Sequence, residues 1–330
     1  MKPSSVCTAG EWWNERKNRE WDILGIGDID VDLCLRVDRL PGRDEKVFAE
    51  LLGEFPGGMT ANVCCAARRF GARSAMIGTV GTDPYGGMAM EGLLEHGVDT
   101  SLVRVVEGGR TFFCVVLLDE SGEKALTVVR TDRHLPGKAD MDPEDFGRSR
   151  LVHVIGDDAE FVEWAAIEAR GRGALVSVDM EASTTARGAR GLVPLLRHVD
   201  VAFFNESGYR GAFGGDARTA LGTVLGLGPR VVVITRGAEG SLVGSSDEQH
   251  AVPGHRVEVV DSTGAGDCFI GAFLTYLLEG VALRDCARFA TAAAALSLGG
   301  VGARSALPTR AAVLDLLAAA PPIHHPEDLT

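Results

Sequence analysis

Four short apolar runs, at 151–155, 175–179, 201–204 and 231–235, recur along the middle of the chain with helix-like stretches such as 160–170 between them. A strand that is apolar at every position is one whose two faces are both covered, and strands separated by helical segments are joined by crossovers and run parallel. The chain is therefore expected to form an α/β fold, a doubly wound and mostly parallel sheet with helices on both faces. The first strand is read at 22–27, the first helices at 59–70 and 84–96, and the last at 264–278, 283–298 and 309–319.

Between the first strand and the first helix the pattern changes. Residues 33–37 and 47–51 read as strands around Pro41-Gly42, and 112–118 and 124–130 read as a hairpin about Asp119-Glu120-Ser121-Gly122. The segments at about 33–56 and 108–131 are expected to build a small β-sheet lid standing off the main sheet. Residues 1–21 are read as an N-terminal extension, 22–320 as one domain and 321–330 as a tail. A lid with unpaired edges and an apolar face favours self-pairing, so a homodimer through the lid is expected.

The 33 basic and 46 acidic residues leave a net charge of −13, a field that repels nucleic acid and anionic lipid. Any phosphate must then be held by local devices. The first twenty residues carry no apolar signal-like core and no long apolar run follows, so neither membrane nor export is expected. The seven cysteines are odd in number and lack a C-x-x-C pair, which fits reduced thiols in a cytoplasmic chain.

The segment most specific for chemistry is Asp261-Ser262-Thr263-Gly264-Ala265-Gly266-Asp267, read as lying between a short strand at 257–260 and a helix. Gly264 and Gly266 let backbone N–H groups turn to one point, and those groups stand at a helix N-terminus, where the dipole favours negative charge. Such a nest suits a phosphoryl group in transfer. Asp267, in the first turn, is placed to take a proton from an attacking hydroxyl, and the helix dipole is expected to keep it ionised.

Two further runs point to substrate. In Asp28-Ile29-Asp30-Val31-Asp32, read as the end of the first strand, alternation puts Asp30 and Asp32 on one side, as partners for paired sugar hydroxyls or a divalent metal. In Pro56-Gly57-Gly58-Met59-Thr60-Ala61-Asn62, the glycines suit the hinge of a closing lid, and Asn62 is positioned for a sugar hydroxyl.

These motifs resemble the ribokinase-like (PfkB) family of carbohydrate and nucleoside kinases. Residues 261–269 match its C-terminal signature D-[ST]-T-G-A-G-D-x-F, and 57–62 resemble its first signature. The resemblance covers about 22–320. It implies ATP as donor with Mg²⁺, Asp267 as general base, and Gly264, Ala265 and Gly266 as the anion hole. It favours hydroxyl binding by Asp32 and by Asp30, which stands where the family often has Asn or a neutral residue. In relatives that depend on a monovalent cation such as K⁺, the aspartate matching Asp261 helps to hold it. Thr235, Gly237 and Gly240 are similar to the family's turn beside the ATP phosphates, and 299–303 resembles the loop closing the adenine region. Asn205-Glu206 resembles the start of its N-x-x-E element near magnesium. The fourth position here is Gly208, so the magnesium-side carboxylate is carried to Glu206.

The expected activity is transfer of the ATP γ-phosphoryl group to a hydroxyl of a small carbohydrate. A nucleoside or sugar-acid kinase and an inactive sugar-binding relative are the alternatives. Arg130, at the end of the second lid hairpin, is the one cation singled out as a partner for an anionic substrate. A Rossmann dehydrogenase is disfavoured because Gly25-Ile26-Gly27 lacks its third glycine, and a P-loop because Gly137-Lys138 lacks the upstream glycine. The histidines show no metal-ligand spacing.

Overall fold

The computed structural model describes residues 16–119, 124–129, 131, 135–155, 158–181, 185 and 188–319. Strands β1 (Trp21–Ile26), β4 (Ser74–Gly81), β5 (Val103–Val106), β8 (Ser149–Val154), β9 (Leu175–Met180), β10 (Val201–Asn205) and β11 (Val231–Thr235) form the parallel body of the main sheet. An antiparallel hairpin, β12 (Ser241–Gly244) and β13 (Gln249–Val252), ends it, giving the order β13-β12-β11-β10-β9-β8-β1-β4-β5. The sequence reading contained neither this hairpin nor β5.

Helices cover both faces. On one lie α1 (Met59–Arg69), α2 (Pro84–Glu95), α7 (Ala265–Glu279), α8 (Leu283–Ser297) and α9 (Arg310–Ala319), packed on Ile23, Leu151, Val201 and Phe203. On the other lie α3 (Ala159–Gly171), α4 (Gly188–Leu196), α5 (Glu206–Phe213) and α6 (Ala217–Leu225), packed on Leu24, Val152, Ala202 and Val232. Alternate residues of one strand thus serve two separate cores, the reason these strands are apolar throughout. Among the described residues, no helix is long and apolar enough to cross a membrane.

A second sheet of four strands, ordered β3-β2-β6-β7, is built from β2 (Asp30–Val37), β3 (Ala49–Gly57), β6 (Phe112–Leu118) and β7 (Lys124–Val129). Here the two excursions expected from sequence join, with β2 parallel to β6. Two expectations are corrected. Asp30 and Asp32 do not end the first strand: β1 stops at Ile26, and both belong to β2 of the small sheet. Residues 257–260 are not a strand. Among the described residues no strand pairs with them, and the segment ends in a bend at Val260, whose N–H donates to Leu298 O at 2.8 Å.

Candidate active site

The site begins with α7. Gly264 precedes it in the left-handed conformation, φ 75°, and brings no side chain to cap it. Ala265 N makes a long contact to Ser262 O at 3.5 Å, and no side chain caps the N–H groups that follow, which leaves those for an incoming anion. A Cβ on Gly264 would stand 2.5 Å from Ala303 Cβ, so glycine is required by backbone conformation and by space. Gly266 differs, since a Cβ there would meet nothing within 4 Å among the described residues. That side of the turn faces open space. Ala265 is partly buried between them.

Asp267 lies in the first turn of a helix whose residues 267–278 are all buried. Its position follows from how α7 meets α1. A Cβ on Gly271 would come within 2.7 Å of Ala66 Cβ and 2.8 Å of Val63 O, so the two helices touch backbone to backbone there. Asn62 is one turn before Ala66, and Asp267 one turn before Gly271, which sets the two side chains face to face. Asn62 Nδ2 donates to Asp267 Oδ2 at 2.8 Å. Burial pushes the Asp267 carboxyl up to about 7; the Asn62 hydrogen bond and nearby Lys124 oppose this, and Asp28 and Glu181 add to it. Desolvation thus outweighs the helix dipole that was expected to keep this group fully ionised.

A second group of carboxylates stands at the root of the small sheet. Asp28, in the turn after β1, accepts from the Met59 and Thr60 N–H groups at 3.0 Å each and so caps α1 in place of Gly58, whose φ is 92°. Asp30 and Asp32 share one face of β2. The register sets Asp30 opposite Phe112 and Asp32 opposite Cys114, which in turn faces Val128. Cys114 Sγ contacts Asp30 Oδ2 at 3.6 Å, while Asp30 Oδ1 is buried with no hydrogen-bond partner among the described residues. Burial raises both carboxyls, Asp32 to about 6 and Asp30, which also feels the charges of Asp32 and Asp28, well above its ordinary value. Gly57 and Gly58 are explained by close approach: a Cβ on Gly57 would lie 2.2 Å from Asp30 Oδ1, and one on Gly58 would lie 2.6 Å from Asp28 O.

Asp261 is 1% exposed. It accepts from Thr263 N at 2.8 Å and Thr263 Oγ1 at 2.7 Å through one oxygen, and from Gly302 N at 2.8 Å through the other. It thereby ties the turn that precedes α7 to the loop after α8. Lys124 reaches down from β7 to within 3.4 Å of Thr263 Oγ1.

The residues at the ends of β10 and β11 are less focused. Asn205 and Thr235 are register partners at the ends of β10 and β11. Asn205 Oδ1 accepts from Gly208 N at 2.7 Å as the cap of α5, and Thr235 Oγ1 bonds Phe204 O at 3.4 Å. Glu206 is half exposed and paired with Arg210 at 2.6 Å. At Gly208 a Cβ would lie 2.2 Å from Met180 O, so no glutamate side chain fits at the fourth position of that element. Gly237 and Gly240 have φ values of 54° and 89° and shape the turn into β12. Arg130 lies outside the described residues.

Sequence reasoning missed Asp28 as a helix cap, Cys114, Lys124, Asp179 and Arg304. Asp179, on β9, is raised well above its ordinary value by burial and by the charges of Glu181 and Asp267. Arg304 follows directly on the 299–303 loop that had been singled out, and it donates from Nε to Asn62 Oδ1 at 2.7 Å.

Anion nest, buried carboxylate and lid together describe a phosphotransferase with a hydroxyl acceptor. Residues 22–310 match the model of the pfkB family of carbohydrate kinases, and the chain belongs to that family. It is 32% identical to an ATP-dependent ribose-1-phosphate kinase of Halopiger xanaduensis, over 89% of this chain and 97% of the relative. It is 30% identical to a ribokinase of Bacillus subtilis, over 90% and 99%. Among solved structures, ribokinase from Thermotoga maritima superposes with a TM-score of 0.76 at 25% identity, covering 90% of this chain and 99% of that one.

Proposed function

We propose that this chain transfers the γ-phosphoryl group of ATP to a free hydroxyl of a small sugar, with Asp267 as the general base. The observation that carries this reading is the buried Asp267 carboxylate, oriented by Asn62 at 2.8 Å, beside the uncapped N-terminus of α7. The backbone N–H groups at Gly264, Ala265 and Gly266 receive the negative charge that develops on the phosphoryl oxygens. Asp30 and Asp32 accept from neighbouring sugar hydroxyls, and the unpartnered Asp30 Oδ1 is an acceptor ready for that role. The register-matched apolar side chains of β6 and β7, Val116, Leu126 and Val128, close over the sugar and keep water from competing as acceptor.

ATP lies along Asn205, Thr235, Gly237 and Gly240, with the open side of Gly266 toward its phosphates. Magnesium supplies charge neutralisation on those phosphates. Glu206 is paired with Arg210 at 2.6 Å and does not stand free for magnesium among the described residues, so no step is assigned through it. Asp261 would help to hold a monovalent cation such as K⁺ beside the turn that precedes α7. The lid closes on the glycine pair 57–58. The domain is the chain from 22 to 320 with lid segments at about 33–56 and 108–131, and it acts in the cytoplasm. Two copies pair through the small sheet, where Phe48 is fully exposed and Leu51 is 63% exposed beside the β3 edge. Phe48→Asp with Leu51→Asp is expected to yield a monomer in sedimentation analysis.

Substrates in reach of this site are those of the relatives, ribose and ribose 1-phosphate, followed by fructose, 2-keto-3-deoxygluconate and nucleosides. The deciding experiment is ADP release measured over that panel, with Arg130→Ala run beside the wild type. One sugar is expected to raise ADP release well above the sugar-free rate. No response to any acceptor, in protein that still binds ATP, would point to the inactive sugar-binding relative instead.

A further inference from the structure

Asn62 has an amide whose two ends are chemically different, and Asp267 needs one end only. Which end it receives is decided from the opposite side of Asn62. Arg304 approaches there, 7% exposed, and its guanidinium has only donors. Nε donates to Asn62 Oδ1 at 2.7 Å, and Nη2 donates to Gly57 O. Nη1 is buried without a hydrogen bond among the described residues and lies against α2, where a Cβ on Gly92 would be 3.3 Å away. Packed on α2 and bonded twice, the guanidinium has little freedom to turn. With its oxygen held by Arg304, the amide must present Nδ2 to Asp267, and Nδ2 occupies Oδ2 of the carboxylate. The other oxygen, Oδ1, is left for the acceptor hydroxyl.

We infer that Arg304 is a positioning residue for phosphoryl transfer, which acts through Asn62 to hold Asp267 as a hydrogen-bond acceptor aimed at the substrate hydroxyl. The inference rests on the assignment of Asp267 as base. Without Arg304 the Asn62 amide is free to flip and offer Oδ1 to Asp267. Two facing oxygens share a proton more readily than they repel, so a flipped amide favours the protonated, inactive acid. Groups around Asp267 that also bear on its charge are Asp28 after β1, Asp179 and Glu181 at and after β9, Lys124 on β7, and Cys268 on α7. Around Arg304 they are Asp30 and Asp32 on β2, Cys64 and Cys65 on α1, and His96 on α2. A direct effect of its charge on Asp30 and Asp32 would appear in the sugar KM, whereas an effect through Asn62 appears in the pH at which the rate is lost.

The test is the pH profile of kcat/KM from pH 5.5 to 9.5, with whichever of ribose, fructose or ribose 1-phosphate turns over best. Variants are Arg304→Met, Arg304→Lys, Asn62→Leu, the Asn62→Leu/Arg304→Met pair and Asp267→Asn. Arg304→Met is expected to move the acid limb up by about one pH unit, which means about a fivefold loss at pH 7 and recovery to within about twofold at pH 9. Arg304→Lys, which keeps a donor, is expected to shift the limb by less than half as much, and it carries the test if the methionine variant does not fold. In the Asn62→Leu background, Arg304→Met is expected to leave the limb where Asn62→Leu put it. A loss uniform in pH, or limb shifts that add in the pair, would overturn the inference. Should Asp267→Asn remain active, the assignment of the base is what fails.

Discussion

Gly271 on α7 and Ala66 on α1 leave no room between them, since a Cβ on the glycine would fall 2.7 Å from Ala66 Cβ. One turn toward the N-terminus of each helix stand Asp267 and Asn62, joined at 2.8 Å. The carboxylate proposed as the base is thus aimed by a helix contact a full turn away. Gly271→Ala is expected to fold, lose about 1–3 kcal/mol from the forced separation, and lose at least tenfold in kcat with smaller change in ATP KM. Thermal melts and steady-state kinetics check both parts. An unchanged kcat would uncouple the helix contact from the base.

Asp267→Asn removes the proposed base but keeps an oxygen for the Asn62 amide. A loss of about 100-fold or more in kcat is expected, with sugar KM largely kept. At pH 8 the same substitution is expected to raise Tm by about 2–6 °C, because a buried carboxylate that must be charged at that pH is replaced by a neutral group. Loss of activity together with gain of stability distinguishes a strained functional group from a structural one.

The raised carboxyls also set the pH behaviour. With the Asp267 carboxyl at about 7, kcat/KM is expected to fall tenfold per unit as pH drops below that value. The Asp32 carboxyl at about 6 adds a rise in sugar KM below pH 6. Stability runs the other way. These groups bind protons more tightly folded than unfolded, so their contribution is fully present below about pH 4 and is lost as pH rises through about 6–7. Urea melts at pH 5 and pH 8 measure this contribution, with the wild type losing more between the two than Asp267→Asn does.

The two glycines of the anion nest are expected to respond differently to alanine. Gly264→Ala meets Ala303 and a positive φ, so it should cost about 2 kcal/mol or more and lower Tm. Gly266→Ala meets nothing within 4 Å among the described residues beyond its own turn of helix. It should leave Tm within about 2 °C of wild type while lowering kcat/KM for ATP by about tenfold or more, since the added methyl occupies the phosphate side. Equal effects on Tm would place both glycines in a purely structural role.

Asp261 to Asp267 could be read from sequence alone because the device is local. A left-handed glycine, an uncapped helix start and an acid in the first turn are properties of consecutive residues, and backbone sterics impose them wherever the run occurs. The strands at 151–155, 175–179, 201–204 and 231–235 were legible for a similar reason, since burial on two faces leaves its mark at every position. The stretch at 257–260 misled because a β-branched run predicts an extended chain but cannot say whether a partner strand lies beside it. Asp30 and Asp32 were correctly set on one face, while the turn after Ile26 that gives them to the small sheet was not visible.

What only the tertiary structure decided is the orientation of the Asp267 carboxylate. Asn62 and Asp267 are separated by 205 positions, and Arg304 and Asn62 by 242. No local pattern relates them. Their meeting depends on two buried helices packing without side chains between them and on a loop after α8 folding back against α1. Those are contacts of the assembled core, where free energy is gained jointly by many residues rather than written into any one segment. The sequence by itself carried the chemistry of phosphoryl transfer, and the packed fold aimed it.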